Sequence, residues 1–204
     1  MMVVRDDDRI PLGHGCQARP GPAFVSRALD GHPWSGTRKE LRKLVNPGTI
    51  SHLVVFDTWT LNVDRHPPPG VDWRPNYDNV FLAAKGGSRY ELVALDHTRC
   101  FTAHGELTPA VSSIDRVQDR RVYGRFPAFE KYLNHEDVAS VSQQLRGLDR
   151  ADVESAVNEV PVEWEVGHSV RMALTDFILQ RAAYIADNIE GLLWPHHAQG
   201  YLFQ

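Results

Sequence analysis

The chain has 204 residues, of which 42% are apolar and 24% are charged, and its formal net charge is −4. This composition is ordinary for a globular domain with a core, and it lacks the long basic run that nucleic acid or an anionic membrane would attract. Because no apolar stretch has the length of a signal peptide or a membrane span, and the two cysteines have no C-x-x-C spacing, we expect a cytoplasmic protein with reduced thiols.

The first 48 residues are rich in glycine and proline. They show no sustained helical or strand period, apart from a short helix predicted over about 37–44. We therefore expect residues 1–48 to form a linker arm, or the remnant of an N-terminal lobe, that wraps on another structure. Residues 49–204 are expected to form the main domain.

A buried helix is predicted from about residue 50 to residue 61, with Thr49 as its cap. The run Pro-Pro-Pro-Gly at 67–70 ends regular structure, and a loop follows to about Tyr77. Two strand-like runs, 79–83 and 90–95, flank a Lys-Gly-Gly-Ser turn and predict a β-hairpin.

The rest of the chain is predicted to be helical. Asn134 and Asp149 are suitable N-caps for helices that reach about residues 145 and 157. A long amphipathic stretch follows the Pro-Val-Glu-Trp run at 161–164 and ends near Trp194. We therefore expect an α+β fold that is mostly helical.

Three polar residues lie where these elements begin or end. Asp64 follows the first long helix, Asn79 opens the first strand and Asp96 follows the second. Because the outer ends of an antiparallel hairpin lie close together, Asn79 and Asp96 should face one site. Phosphoryl transfer needs a carboxylate near the attacking hydroxyl, and an amide and a second carboxylate for the metal ions. Protein kinases have this order of elements, but their Asp and Asn lie five positions apart rather than fifteen.

Three segments carry a resemblance to HipA-like kinases, which share a catalytic layout with phosphatidylinositol-kinase-like enzymes. They are FDTWTLNVDR at 56–65, Asn79 and LDHTRCF at 95–101, and the flanking runs at 21–26 and 161–164 also resemble the family. The resemblance implies the C-terminal lobe of a protein-kinase-like fold with a hairpin at the active-site edge. It implies a phosphotransferase that depends on ATP and magnesium, of the protein serine/threonine kinase type. The residues it implies are catalytic Asp64, magnesium ligands Asn79 and Asp96, and cofactor-binding Arg65 and His66.

The chain departs from the family pattern in two ways. Thr98 stands where the family has glycine after the Asp-His pair, and no lysine or glycine-rich strand–turn–strand precedes Gly21. We therefore expect the ATP-clamping lobe to come from a partner subunit or a second copy. The resemblance implies that the phosphate acceptor is a protein. The alternative is a pseudokinase or split-kinase lobe that acts as a binding module. Neither interpretation includes a nucleic-acid or membrane partner.

Other interpretations of these residues remain open. Any one of the three site residues is also a common cap or turn residue, so the interpretation depends on their joint placement. Asp57 and Asn62 are interpreted as structural residues that brace the catalytic loop, and an ion pair in the core or on the surface is an equal alternative for Arg65. His66 and His97 flank two carboxylates and would suit a metal hydrolase, although no H-x-H or H-E-x-x-H spacing supports one.

Overall fold

The computed structural model describes residues 2–5, 7–101 and 106–195, and it has an α+β fold. Its five strands are β1 (Met2–Val4), β2 (Gly21–Ala23), β3 (Gly31–Pro33), β4 (Val80–Ala84) and β5 (Tyr90–Ala94). Its six α-helices are α1 (Arg38–Leu41), α2 (Thr49–Thr60), α3 (Ile114–Val117), α4 (His135–Arg146), α5 (Arg150–Asn158) and α6 (His168–Leu193).

The predicted hairpin is confirmed. β4 and β5 pair antiparallel, with Val80 opposite Ala94 at the outer end and Ala84 opposite Tyr90 beside the turn. β3 adds a third antiparallel strand along β4. The N-terminal arm therefore contributes a strand to the sheet at the site, in addition to the separate two-stranded ladder of β1 and β2.

The core lies between this sheet and the helices α2, α4 and α6. Helix α2 is buried on nearly every side, and its apolar residues accordingly do not form a single stripe. The arm also reaches this core, because Trp34 is 1% exposed and its ring stacks on Phe129 and meets Phe126 edge to face. Residues 31–44 thus pack together with the segment that begins at residue 49.

The predicted caps of α4 and α5 are confirmed. The Asn134 side chain accepts a hydrogen bond from the Asp137 N–H, and the Asp149 side chain accepts one from the Ala151 N–H. The predicted cap at Thr49 is wrong, because that residue is already the first residue of α2 and its neighbour Gly48 occupies the cap position.

Helix α6 carries a buried cation that the sequence does not reveal. The Arg181 guanidinium, which is fully buried, donates hydrogen bonds to backbone carbonyls at the C-terminal ends of α2 and α3. Helix C-termini carry partial negative charge, so these carbonyls stabilise the cation. Of the helices in the described residues, none combines the length and apolar character that a membrane span requires.

Candidate functional site

The loop that carries Asp64 is fixed to the end of α2. Leu61 ends the helix in a left-handed conformation, with φ of 54°. The side chain of Asn62 then bridges two neighbours: its Nδ2 donates to Asp57 Oδ1 over 3.0 Å, and its Oδ1 accepts from the Asp64 N–H over 3.1 Å. Asp57 and Asn62 therefore brace this loop, in agreement with their interpretation as structural residues.

Asp64 and Asn79 are in direct contact. Asn79 Nδ2 donates a hydrogen bond to Asp64 Oδ2 over 2.8 Å. Asn79 lies in a short 3-10 turn (Tyr77–Asn79) just before β4, and the side chain of Asn76 caps this turn by accepting from the Asp78 N–H. The turn thus presents the amide of Asn79 to the loop after α2, although fifteen positions separate the two residues.

Asp96 lies at the same end of the hairpin. The preceding residue, Leu95, donates its N–H to the carbonyl oxygen of Asn79 over 3.1 Å, so the two chain segments are neighbours. Asp96 has φ of 49°, and its Oδ1 accepts from the Thr98 N–H over 3.1 Å. Hydrogen bonds from Thr98 lower the pKa of the exposed Asp96 carboxyl, which is therefore ionised at neutral pH. Within the described residues its carboxylate makes no hydrogen bond to Asp64 or Asn79.

The side chain of Arg65 lies in the core. The side chain is 0% exposed, and its Nη1 forms an ion pair with Asp57. Its Nε donates to the Asn79 carbonyl over 3.2 Å, and its Nη2 donates to the Leu95 carbonyl over 2.9 Å. The prediction that Arg65 binds the cofactor is not supported, because these groups occupy its guanidinium. The core ion pair, its alternative, is what the structure shows.

These contacts give Arg65 a positioning role. The guanidinium joins α2 to both outer ends of the hairpin, immediately before Asp96 and at Asn79 itself. Removing it would free the two strand ends to move relative to the loop of Asp64. The ring of His97 closes the cluster, with its Nε2 at 3.4 Å from Arg65 Nη2.

The partner carboxylate, Asp57, is fully buried. Burial raises its pKa to about 6, although Arg65 and Asn62 act in the opposite direction. One of its oxygens, Oδ2, has no hydrogen-bond partner within the described residues and faces Gly124. A Cβ atom at Gly124 would overlap this oxygen, and the φ of 70° also disfavours any other residue there. Gly124 is thus a further structural requirement of the site, without a local signal in the sequence.

His66 points to another part of the surface. Its ring meets Phe126 edge to face at 4.9 Å, and burial lowers its pKa. It lines a cavity of about 430 Å³ together with Pro67, Pro69, Arg120, Arg121, Val122, Arg125 and Leu192. Asp64 is not among these residues. The structure therefore does not bring His66 together with Asp64 and Asn79, and a cofactor-binding role for it gains no support.

The open cleft beside Asp64 has a volume of about 640 Å³. Its wall is part of the long loop between Asp64 and Asn79, and the lining residues are Asp64, Asp72, Trp73, Arg74, Pro75 and Asn76. The sequence identified this loop only by its length, whereas the structure shows that residues 72–76 of the loop line the cleft.

The described residues contain no group of three or more His, Cys, Asp or Glu side chains arranged to hold a metal ion. The hydrolase interpretation of His66 and His97 therefore gains no support. The phosphotransfer interpretation requires two carboxylates and one amide, and this donor set differs from a group of three His, Cys, Asp or Glu side chains.

Comparisons of this chain with protein-family models, with curated proteins and with solved structures found no match.

Proposed function

We propose that this chain is the C-terminal lobe of a HipA-like phosphotransferase that depends on ATP and magnesium, of the protein serine/threonine kinase type. The observation that carries the proposal is the 2.8 Å hydrogen bond between Asn79 and Asp64, formed at the end of the hairpin from which Asp96 also emerges. Phosphoryl transfer uses an Asp and an Asn in these roles.

In this proposal Asp64 orients the acceptor hydroxyl and accepts its proton as the hydroxyl oxygen forms a bond to the γ-phosphorus of ATP. The bond from that phosphorus to the bridging oxygen of ADP breaks, and ADP leaves with the electron pair. Asn79 keeps Asp64 in place through its Nδ2, so the acceptor oxygen is held on one side of the cleft.

The donor set suits magnesium. Carboxylate and amide oxygens are the ligands this hard cation prefers. The Oδ1 atom of Asn79 accepts no hydrogen bond within the described residues, and the Asp96 carboxylate is exposed, so both groups are accessible to a cation. When bound, the cation would neutralise charge on the phosphates.

The split or inactive kinase lobe is the second candidate, and two observations favour it. Within the described residues, the exposed carboxylate of Asp96 makes no hydrogen bond to Asp64 or Asn79, and no lysine is among the residues that line the Asp64 cleft. Such a lobe would bind nucleotide weakly and transfer no phosphate.

A partner subunit or a second copy is part of both candidates. The arm exposes several large apolar side chains, of which Phe24 is 82% exposed and Val25 is 57% exposed. Exposed apolar surface of this kind marks protein contacts when it is contiguous. A molar mass measured by light scattering across a concentration series should show association, and a constant monomer mass would weigh against a second copy.

The experiment that tests the function is calorimetry with ATP and magnesium, combined with transfer of labelled γ-phosphate. We expect magnesium-dependent binding that is weakened by Asp96→Ala and retained in Asp64→Asn, because asparagine still accepts the hydrogen bond from Asn79. Asp152→Asn, an exposed carboxylate on α5, is the matched control.

Transfer by the parent that is lost in Asp64→Asn would establish the kinase, and binding without transfer would favour the second candidate. Equal binding by the parent and Asp96→Ala would refute the metal assignment.

A further inference from the structure

The loop between Arg65 and Asn79, which we call the insert loop (residues 67–77), is held at three points. At its base the Asn76 N–H donates to the Arg65 carbonyl over 2.9 Å. In its middle Val71 packs against the apolar cluster that follows α2. Close to the cleft, the Arg99 guanidinium lies over the ring of Trp73, 4.9 Å from its centroid. These contacts make the insert loop a fixed wall of the cleft.

This wall carries one basic side chain, Arg74, among the residues that line the cleft with Asp64. Arg74 is exposed, and it makes no hydrogen bond, ion pair or ring contact with any residue that the structure describes. Most of the other arginines near the site are already engaged, as Arg65 is with Asp57 and Arg99 is with Trp73. Arg74 is therefore available to a ligand without breaking a contact.

We propose that Arg74 binds the phosphate chain of the nucleotide in the Asp64 cleft. The inference rests on the proposed function and assigns to the insert loop the phosphate contact that a lysine supplies in other kinases. A guanidinium presents parallel N–H donors that match phosphate oxygens, and its charge persists at all working pH values.

The net charge of the cleft lining affects how a polyphosphate can bind there. Asp64 and Asp72 together carry two negative charges and Arg74 carries one positive charge, so the lining has a net charge of −1. A polyphosphate is repelled by such a surface unless a divalent cation accompanies it. Binding through Arg74 should therefore require magnesium.

The test is calorimetry of the full chain with two probes, Mg–ATP and Mg–tripolyphosphate, the second of which lacks the nucleoside. We expect Arg74→Ala to weaken both probes by about tenfold or more, the usual effect of losing a hydrogen-bonded charge contact. Arg74→Lys should recover part of the loss. Arg89→Ala, which removes an exposed arginine at the turn end of the hairpin, should change neither affinity.

The outcomes separate this inference from the function on which it rests. Parent protein that binds Mg–ATP, with Arg74→Ala binding equally well, would overturn the role of Arg74 and leave the kinase proposal intact. A loss that affects Mg–ATP but not Mg–tripolyphosphate would also overturn it, because the contact would then be to the nucleoside. If the parent binds neither probe, the proposed function and this inference fail together. Circular dichroism of each variant checks that it is folded.

Discussion

Replacing Arg65 by methionine tests whether the buried ion pair fixes the site. The substitution removes the partner of Asp57 and leaves a fully buried carboxylate without a cation. Breaking a buried pair in this way typically lowers the free energy of unfolding by about 3–5 kcal/mol. For a chain of this length, 1 kcal/mol corresponds to about 2–4 °C in Tm, so we expect a Tm lower by roughly 6–20 °C.

A double variant distinguishes loss of the pair from loss of packing. Asp57→Asn keeps the shape of the aspartate without its charge, so Asp57→Asn/Arg65→Met should be more stable than Arg65→Met alone. Asp57→Asn by itself should be destabilised, because it leaves the guanidinium of Arg65 buried without a counterion. Arg89→Met, at an exposed arginine, should change stability by less than about 0.5 kcal/mol.

Urea unfolding, monitored by circular dichroism for all four variants and the parent, measures these differences. A decrease in unfolding free energy of less than about 1 kcal/mol for Arg65→Met would refute this reasoning, because a loss of that size is typical of an exposed ion pair. It would also be refuted if the double variant were no more stable than Arg65→Met, because the unpaired Asp57 charge would then not be the cause.

Three further outcomes are expected. Gly124→Ala should destabilise the protein by about 2–4 kcal/mol, because the alanine would adopt a left-handed conformation and overlap Asp57. The control is Gly167→Ala, where a Cβ meets nothing within 4 Å. A shift in urea midpoint as small as that of the control would contradict this prediction. Burial raises the pKa of Cys100 to about 11, so at pH 8 a disulfide reagent should react with the exposed Cys16 alone until denaturant is added. Two reactive thiols in the native protein would be inconsistent with the fold. Burial lowers the pKa of His66 from 6.5, so the unfolded chain takes up this proton first and stability is lost as the pH falls below that value. His66→Gln should therefore lose less unfolding free energy than the parent between pH 7.5 and pH 5.5, and equal losses would show that the ring does not titrate in this way.

Local signals explain the elements that the sequence predicted. The pair Gly86-Gly87 adopts positive φ in the hairpin turn, as the tight-turn pattern requires. Asn134 and Asp149 cap their helices through contacts only two or three residues away. Signals of this kind depend on neighbours in the chain, so they are visible without knowledge of the tertiary structure.

The strand β3 was not predicted, because its three residues include a glycine and a proline, which are poor strand formers. Gly31 is required there for a tertiary reason: a Cβ atom would overlap the Leu82 carbonyl of the adjacent strand. Trp34 directly follows β3 in the chain, so the pairing of β3 with β4 also brings Trp34 into the core.

The site was predictable in part. The contact between Asp64 and Asn79 agrees with the order of elements in the sequence, because each residue lies at the end of one of them. The position of Arg65 was not decided by the sequence, since an arginine directly after Asp64 could bind either a phosphate or a core carboxylate. Its burial depends on Asp57, one helical turn before the end of α2, facing the hairpin. Arg74 was missed because a loop gives no periodic signal for the direction of its side chains.

The most direct test of the central claim is the position of the metal ion. Crystals of the chain grown with Mn²⁺ and a non-hydrolysable ATP analogue would locate the ion by its anomalous scattering. We expect a peak within about 2.0–2.3 Å of an Asp96 carboxylate oxygen and of Asn79 Oδ1, with the phosphates in the Asp64 cleft. A peak bound elsewhere on the chain, or nucleotide bound away from these residues, would contradict the assignment of this site.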